Sequence, residues 1–431
     1  MASPSPLLEF HRRAAATLLA YGPQSQSADA GGAADAAVPV IDLVATYGSL
    51  ELEYAAVRKH CALLDMPCRG LVEVTGPDRL DFLNRMVTQE LRPGKKDLPT
   101  WSMARSFWLS RKGRIDADLR VCVLPDRVLL DVDALAAART AATLGSFVIM
   151  EDCAVRDVSA SHHCLALHGP SAPALLAKAF TPRKDAPNAE SLPAGGGVTA
   201  GTIAGVEAIV LRDDEAGVPG YQILVPTQHT LEAARALITL GHDASHEPAR
   251  DGFELPVLSP DAPRSASQFR LSPIGWLAFN IARIEAGTPL FHIDFGTENL
   301  PAETGLMDSR VSFTKGCYLG QEVVARMHAR HQSKQHLVAV KFESVGAGDD
   351  RPYPALPEQG AALLAGDVPV GRVTSSTLSP LLAMSPIAMA QLRSTHSAAG
   401  TVLTTLVGGT AIKCVVQAGL AFGTPVQSAH A

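Results

Sequence analysis

The sequence has 431 residues, of which 47% are hydrophobic and 19% are charged, and its formal net charge is −6. This length allows two or three domains with separate cores, and the composition is typical of a globular protein. The negative charge excludes a general electrostatic attraction to nucleic acid, and the absence of an 18-residue apolar run excludes a predicted membrane span.

The seven cysteines are scattered along the chain and include no C-x-x-C pair. This spacing argues against a disulfide framework and against a zinc or iron–sulfur site built from local ligands, so no metal ligand is predicted. Free thiols are stable in a reducing compartment. We therefore expect a cytoplasmic protein, or one of the mitochondrial matrix if the source is eukaryotic.

Residues 1–45 predict an N-terminal extension followed by a linker. Arg12 and Arg13 precede the short apolar run 14–20, but Glu9 and the lack of a cleavage site favour a helix over a cleaved leader. A mitochondrial presequence is the minor alternative. Residues 22–39 are rich in Ala, Gly and Ser and predict a flexible connector.

Residues 46–335 predict a domain of two related α+β lobes. The first lobe, about 46–160, has a helical period over 51–65, a helix that Pro77 and Asp78 open, and a helix at 134–147. Its predicted strands are 70–76, 106–109, 119–124 and 128–131.

The second lobe, about 161–335, repeats the strand, Gly-Pro, helix pattern of the first at 164–180. Further strands are predicted at 206–211 and 221–225, with helices at 228–240 and 274–285, and residues 241–270 read as an inserted surface loop. After residue 335 the pattern changes to evenly spaced short strands. Residues 336–431 therefore predict a C-terminal antiparallel β-barrel.

The segment 315–322, KGCYLGQE, is the strongest candidate site. It places the Cys317 thiol between two glycines and ahead of a predicted helix, where backbone N–H groups and the helix dipole favour a thiolate. A buried, inert thiol in a tight loop is the competing interpretation. The following basic residues Arg326, Arg330, His331 and Lys334 form a local positive patch.

Two other segments carry candidate acids. In 112–121, Gly113 and Arg114 predict a hairpin tip, and Asp118 starts an apolar strand, where burial favours acid–base work. Asp116 shares its face by strand alternation, so periodicity does not choose between the two. In 283–287, Glu285 lies at a helix end before a glycine, where it either contacts a polar heterocycle or pairs with a cation such as Arg283.

Several segments together resemble the glycine-cleavage T-protein (aminomethyltransferase) superfamily over about residues 46–418. They are VTGPD at 74–78, Gly169-Pro170, RIEAG at 283–287 and VGRVTS at 370–375. Within this superfamily, the 315–322 motif is similar to the signature of the folate-binding YgfZ branch, which includes mitochondrial relatives that act in iron–sulfur cluster maturation. The resemblance implies two related α+β lobes around a folate-binding hole, followed by a β-barrel.

The resemblance also implies roles for single residues. Glu285 would contact the pterin edge, Asp118 would lie near the reactive folate nitrogens, and Cys317 would be a reactive or redox-sensing thiol. Arg283, Lys315 and Tyr318 would complete the contacts to tetrahydrofolate or a one-carbon derivative of it. The chain departs from the T-protein pattern at 113–118 and at Met66-Pro67, which weakens the prediction of aminomethyl transfer from a lipoyl carrier.

Three functions follow as hypotheses. The first is a tetrahydrofolate-binding YgfZ-type protein whose partners are iron–sulfur clients or assembly proteins. The second is a folate-dependent aminomethyltransferase or demethylase. Because the second hypothesis describes an enzyme and the first does not require one, the sequence leaves open whether the protein is an enzyme. The third is a tRNA-binding module that uses the basic helix 326–334, which the net charge of −6 disfavours.

Overall fold

A computed structural model describes residues 4–22, 40–241, 269–330, 333–343 and 356–422 of the chain. Nearly all of the predicted linker and of the predicted 241–270 insertion lies outside these residues, as does His331. In the described part, no helix combines the length and the apolar character that a membrane crossing requires.

The N-terminal extension is only partly helical, which corrects the prediction. Helix α1 covers Leu8–Arg13, but strand β1, Thr17–Tyr21, occupies most of the run expected to be helical. Strand β1 pairs antiparallel with β2, Ile41–Thr46. A left-handed residue, Ala15 at φ +50°, separates α1 from β1, so the helix ends and the apolar residues gain a strand partner instead.

The predicted helix 51–65 is also split. Helix α2 covers Leu50–Lys59, and the last five residues form strand β3, Cys61–Asp65. All five residues of β3 are buried. A short apolar run buried on both faces does not show its structure by periodicity, because it fits a strand and a buried helix equally well.

A five-stranded sheet carries the first lobe. Its strands are β4 Arg69–Thr75, β5 Met103–Leu109, β6 Ile115–Val123, β7 Arg127–Asp133 and β8 Ala154–Asp157, and its helices are α3 Arg79–Met86 and α4 Ala134–Gly145. The strand order is β5-β6-β7-β4-β8, and all neighbours are antiparallel. Strand β6 pairs with β7 from Arg120 onwards and with β5 over most of its length, so Asp118 is held by its pairing with Phe107 of β5.

A seven-stranded sheet carries the second lobe, in the order β10-β11-β12-β13-β9-β3-β14. Its further strands are β9 His162–His168, β10 Phe180–Pro182, β11 Val198–Ile203, β12 Val206–Arg212, β13 Gly220–Pro226 and β14 Leu271–Ile274, with α5 Ala172–Ala179, α6 Thr230–Gly241 and α7 Trp276–Glu285. Strand β3 belongs to this sheet, although it precedes the predicted lobe boundary at residue 160. The two lobes therefore exchange chain segments, and the predicted boundary stays a prediction.

The repeated strand, Gly-Pro, helix units are structurally alike. Gly76 follows β4 and Gly169 follows β9, and both have left-handed backbones, with φ +99° and +126°. A Cβ at either glycine would lie 2.2 to 2.3 Å from a backbone oxygen, that of Asp152 or of His60. Each turn thus requires glycine for its conformation and for the close approach of a neighbouring chain.

The C-terminal part is a closed six-stranded barrel, as predicted. Two helices, α8 Met307–Arg310 and α9 Gln321–Arg330, precede its strands β15 Gln335–Phe342, β16 Ala362–Ala365, β17 Val368–Ser379, β18 Ser385–Arg393, β19 Val402–Val407 and β20 Thr410–Val416. The barrel order is β15-β18-β17-β16-β19-β20, and every pair is antiparallel. Two α+β lobes and this barrel confirm the predicted fold class.

Candidate functional site

A central cleft lies where the two lobes and the N-terminal hairpin meet. Its aromatic walls are Tyr21, Trp276, Phe279 and Phe291, and its polar lining is Arg69, Asp118, Arg120, Asp133 and Glu215. Tyr21 comes from β1, Trp276 and Phe279 from α7, and the polar groups mostly from the first-lobe sheet. Flat aromatic walls with a few convergent polar groups are typical of a small-molecule site.

The structure distinguishes the two candidate aspartates on β6. Asp118 lines the cleft, and its Oδ1 accepts a hydrogen bond from Arg310 Nε at 3.1 Å. Asp116 instead accepts a hydrogen bond from Arg139 Nη2 of α4 at 2.7 Å, and burial raises the pKa of its carboxyl. Both point to one face of the sheet, but only Asp118 reaches the cleft.

A buried ion-pair network forms the floor of the cleft. Arg120 donates hydrogen bonds to three carboxylates, those of Asp131, Asp213 and Glu215, and its Nη1 lies 2.7 Å from Asp131 Oδ2. Arg69 binds Asp131 through two nitrogen atoms, at 3.0 and 2.7 Å, and Arg105 binds Asp213. Because β6, β7 and the 213–215 turn all contribute, the network joins the two lobes.

The network sets the charge of Glu215. Burial alone would raise the pKa of this carboxyl, but the guanidinium groups of Arg120, Arg105 and Arg69 lower it to about 2. Nearby, His168 is completely enclosed and stacks on Phe279 with ring centroids 5.3 Å apart. Burial lowers the pKa of His168 to about 4, so its imidazole is neutral at pH 7.

Asp133, like Glu215, is a carboxylate of the cleft lining that was not identified from the sequence. Its Oδ2 accepts a hydrogen bond from Tyr21 Oη, and its Oδ1 caps α4 by accepting from Leu135 N at 2.9 Å. Among the described residues, no lysine or arginine makes an ion pair with it. Burial raises its pKa. A lining carboxylate without a cationic partner keeps acceptor capacity for a ligand.

A sequence signal for Asp133 did exist, because an aspartate directly before a predicted helix is a typical N-cap. Tyr21 gave no comparable signal. It lies in the N-terminal extension, which the sequence places outside the folate-type core, and only the pairing of β1 with β2 brings it to the cleft.

Glu285 and Arg283 lie between the lobes and the barrel and do not line the cleft. Glu285 Oε2 accepts hydrogen bonds from Tyr54 Oη at 2.7 Å and Arg58 Nη2 at 2.5 Å, and its Oε1 accepts from Ser379 Oγ at 2.6 Å. Arg283 is completely buried and pairs with Asp294. Their predicted contact with folate stays a prediction.

The motif 315–322 is anchored to the first lobe by its cation and its aromatic ring. Lys315 Nζ donates hydrogen bonds to the backbone oxygens of Asn84, Val87 and Gln89, at 2.5, 2.7 and 3.0 Å. Tyr318 is buried beside it, with Nζ 5.1 Å from the ring centroid. Both residues were predicted to contact folate, and the structure uses both to fix the loop at the end of α3.

The same loop leaves the Cys317 thiol exposed. Of the other six cysteines, five are buried and Cys153 is half-buried. Gly320 has φ +81°, and a Cβ there would lie 3.0 Å from Ser110 O and 3.1 Å from Gly113 Cα. The start of α9 therefore packs closely on the 110–114 hairpin tip. Cys317 and Asp118 are not brought together, because the thiol does not line the cleft.

Comparison with known families agrees with this architecture. Residues 30–254 match the GCVT N-terminal domain, and residues 345–422 match the glycine cleavage T-protein C-terminal barrel domain. The chain belongs to the glycine cleavage T-protein family. This membership confirms the superfamily expected from the sequence, whereas its YgfZ branch stays a prediction.

Several relatives of this family are named aminomethyltransferase. The Streptomyces coelicolor protein is 28% identical over 366 residues, which cover 84% of this chain and 86% of the relative. The mitochondrial protein of Dictyostelium discoideum is 24% identical over 383 residues, covering 84% and 82%. The crystal structure of glycine cleavage system aminomethyltransferase T from Bartonella henselae has a TM-score of 0.75 and 22% identity, with 99% of both chains covered. That likeness shows a shared fold.

Proteins of the glycine cleavage T-protein family use tetrahydrofolate, so the cofactor expected from the sequence is confirmed for the family. The lining of the cleft fits this group. Trp276, Phe279 and Phe291 offer flat apolar faces to a heterocycle, and Asp133 offers an acceptor oxygen to its N–H groups. Bound tetrahydrofolate would supply the nitrogen atoms that carry a one-carbon unit.

Proposed function

We propose that this chain is a tetrahydrofolate-binding protein of the YgfZ type that supports the assembly or repair of iron–sulfur proteins. The observation that carries the proposal is the exposed Cys317 thiol on a loop that Lys315 and Tyr318 anchor. A thiol fixed in position and open to solvent is suited to meet a partner protein. Family membership supports the folate half of the proposal. We place the protein in the cytoplasm, or in the mitochondrial matrix of a eukaryote.

In this proposal the cleft binds the pterin and the loop acts on a partner. Asp118 lies beside the reactive nitrogens, with Arg310 holding its carboxylate. Asp133 accepts hydrogen bonds from the N–H edge, a role expected from sequence for Glu285, whose two oxygens already accept from four protein donors. Arg283 pairs with Asp294, which also accepts hydrogen bonds from Thr374 and Ser375 of β17, so Arg283 stabilises the docking of the barrel.

Replacing Asp133 by Asn is expected to weaken tetrahydrofolate binding about tenfold or more, because a hydrogen bond to a charged acceptor is lost. Asn is also a good N-cap, so α4 should remain intact. Anaerobic calorimetry with the purified protein measures the affinity. Asp126→Asn, at an exposed turn, is the matched control and should bind like the wild type. Absence of tetrahydrofolate binding by the wild-type protein would contradict the folate assignment.

The Cys317→Ser variant is expected to lose the support of iron–sulfur proteins while it keeps folate affinity, because the thiol lies apart from the cleft. The measurement is iron–sulfur enzyme activity in cells that lack the native protein and express the variant. Cys153→Ser removes a half-buried thiol and should rescue like the wild type. Full rescue by Cys317→Ser would rule out a mechanism that uses the thiol.

The second candidate function is folate-dependent aminomethyl transfer. The names of the relatives and the position of Asp118 in the cleft favour it. The departures from the T-protein pattern at 113–118 and at Met66-Pro67 argue against it. Formation of methylene-tetrahydrofolate by the purified protein from an aminomethyl donor would decide for this function.

The tRNA-binding hypothesis has the weakest support. Arg326 of α9 pairs with Glu322 at 2.6 Å, so part of the predicted basic patch is neutralised locally. Absence of salt-sensitive tRNA binding at low ionic strength would eliminate the hypothesis.

A further inference from the structure

His292 lies behind the cleft wall, next to the carboxylate of Asp133. It follows Phe291, which lines the cleft, and the two ring centroids are 4.2 Å apart. The Nε2 atom of His292 is buried, lies 3.9 Å from Asp133 Oδ1, and has no hydrogen-bond partner among the described residues. An imidazole nitrogen therefore faces the one lining carboxylate that no arginine or lysine neutralises in this part of the chain.

The backbone of His292 is strained. Its φ is +67°, a left-handed conformation that favours glycine, and its N–H donates to Phe295 O at 2.8 Å in a tight turn. A non-glycine residue at such a position lowers stability, and this kind of strain is often retained where a side chain has a function. Glycine would suit the turn better, so the imidazole itself needs an explanation.

The charged surroundings of the pair come from several elements. Tyr21 of β1, Arg69 of β4 and the Cys68 thiol face Asp133, and Arg139 of α4 faces His292. Burial raises the pKa of Asp133, and the neighbouring His292 opposes this effect. Burial likewise lowers the pKa of His292, and Asp133 opposes it. Each group thus favours the charged form of the other.

We propose that His292 is a positioning residue that keeps Asp133 ionised for the ligand of the cleft. The inference rests on the proposed folate binding, and His292 acts through Asp133 without touching the ligand. Protonation of the imidazole places a positive charge 3.9 Å from the Asp133 carboxylate. The resulting imidazolium holds Asp133 as a carboxylate, which extends ligand binding to lower pH.

The variant His292→Gly tests this role, with Ala204→Gly as the matched control. Ala204 has φ +49° in the exposed turn between β11 and β12, so both substitutions relieve left-handed strain. Tetrahydrofolate affinity is measured anaerobically by calorimetry between pH 5 and pH 8. The control should keep the wild-type profile, whereas in His292→Gly the loss of affinity on the acid side should move to higher pH by about one pH unit.

A second measurement does not depend on the ligand. The His292 imidazole is titrated by NMR in the wild type and in Asp133→Asn, and its signal is assigned by its absence from His292→Gly. Loss of the carboxylate should lower the His292 titration midpoint by about one pH unit. The proposal is overturned if the His292 titration midpoint is the same in Asp133→Asn and the wild type. It is also overturned if the pH at which tetrahydrofolate affinity falls on the acid side is the same in His292→Gly and the wild type. Lack of tetrahydrofolate binding by the wild type refutes the proposed function instead, and the NMR titration still decides the coupling.

Discussion

The Arg120→Met variant is expected to lose about 3–5 kcal/mol of unfolding free energy, because it removes the cation shared by Asp131, Asp213 and Glu215. Arg69 still neutralises Asp131 and Arg105 still binds Asp213, but Glu215 loses its hydrogen-bonding cation. Chemical denaturation at pH 7 measures the loss.

The pH dependence of stability gives a second readout for Arg120→Met. The pKa of Glu215 is about 2 in the folded protein, against 4.5 as its ordinary value. A lowered folded-state pKa stabilises the protein above about pH 4.5, and this contribution disappears as pH falls towards 2. In Arg120→Met the pKa of Glu215 should rise, so the acid-induced loss of stability from this group becomes smaller.

The matched control for Arg120 is Arg114→Met. Arg114 pairs with Glu298, whose side chain is 85% exposed, so its loss should cost at most about 1 kcal/mol. A loss of similar size in Arg120→Met would contradict the view that the network needs its central guanidinium.

The Glu285→Gln variant is expected to lose about 2–3 kcal/mol of unfolding free energy, because a neutral amide replaces a buried carboxylate that four donors share. The side-chain amide would also direct an N–H group towards Arg58 or Ser379. Since Ser379 and Leu381 belong to the barrel region, docking of the barrel on α7 should weaken first. Thermal unfolding followed with a barrel-specific probe measures this effect.

The same variant tests the predicted contact between Glu285 and folate. With Glu298→Gln as the exposed control, tetrahydrofolate affinity of the folded Glu285→Gln protein should stay within about threefold of the wild type if the carboxylate is structural. A larger loss of affinity in the folded variant would support the direct contact that the sequence predicts.

Long, periodic elements of this fold could be predicted from the sequence, and short buried ones could not. Helices α3, α4 and α6 show an apolar face at helical spacing, and the evenly spaced short strands predicted after residue 335 form the barrel. Strand β3 was misread as the end of a helix, because its four apolar residues and Asp65 are all buried and show no distinguishing period. Strand β1 was misread because its partner β2 lies across the linker, at a sequence distance that local patterns do not cover.

The residues of the site also divide into those that local sequence patterns identified and those whose partners only the folded chain shows. Asp118 was a candidate because it lies at the start of an apolar strand. Distinguishing it from Asp116 requires the tertiary structure, since Arg310 contacts Asp118 and Arg139 of α4 contacts Asp116. Glu285 was placed at the pterin because its motif resembles a family motif. In the structure, the partners of this carboxylate come from α2 and from the barrel, more than 90 residues away in either direction.

The family, the two-lobe fold with its barrel, and Cys317 as the unusual thiol could all be inferred before folding was considered, because they depend on motifs, turn glycines and periodic patterns within short segments. The anchoring of the thiol loop by Lys315 and Tyr318, and the approach of Tyr21 and His292 to Asp133, became visible in the folded chain alone. The physical reason is that hydrogen bonds and charge pairs depend on distances of a few ångströms. Tyr21 and His292 each reach such a distance from Asp133 only when β1, β7 and the turn after α7 pack together.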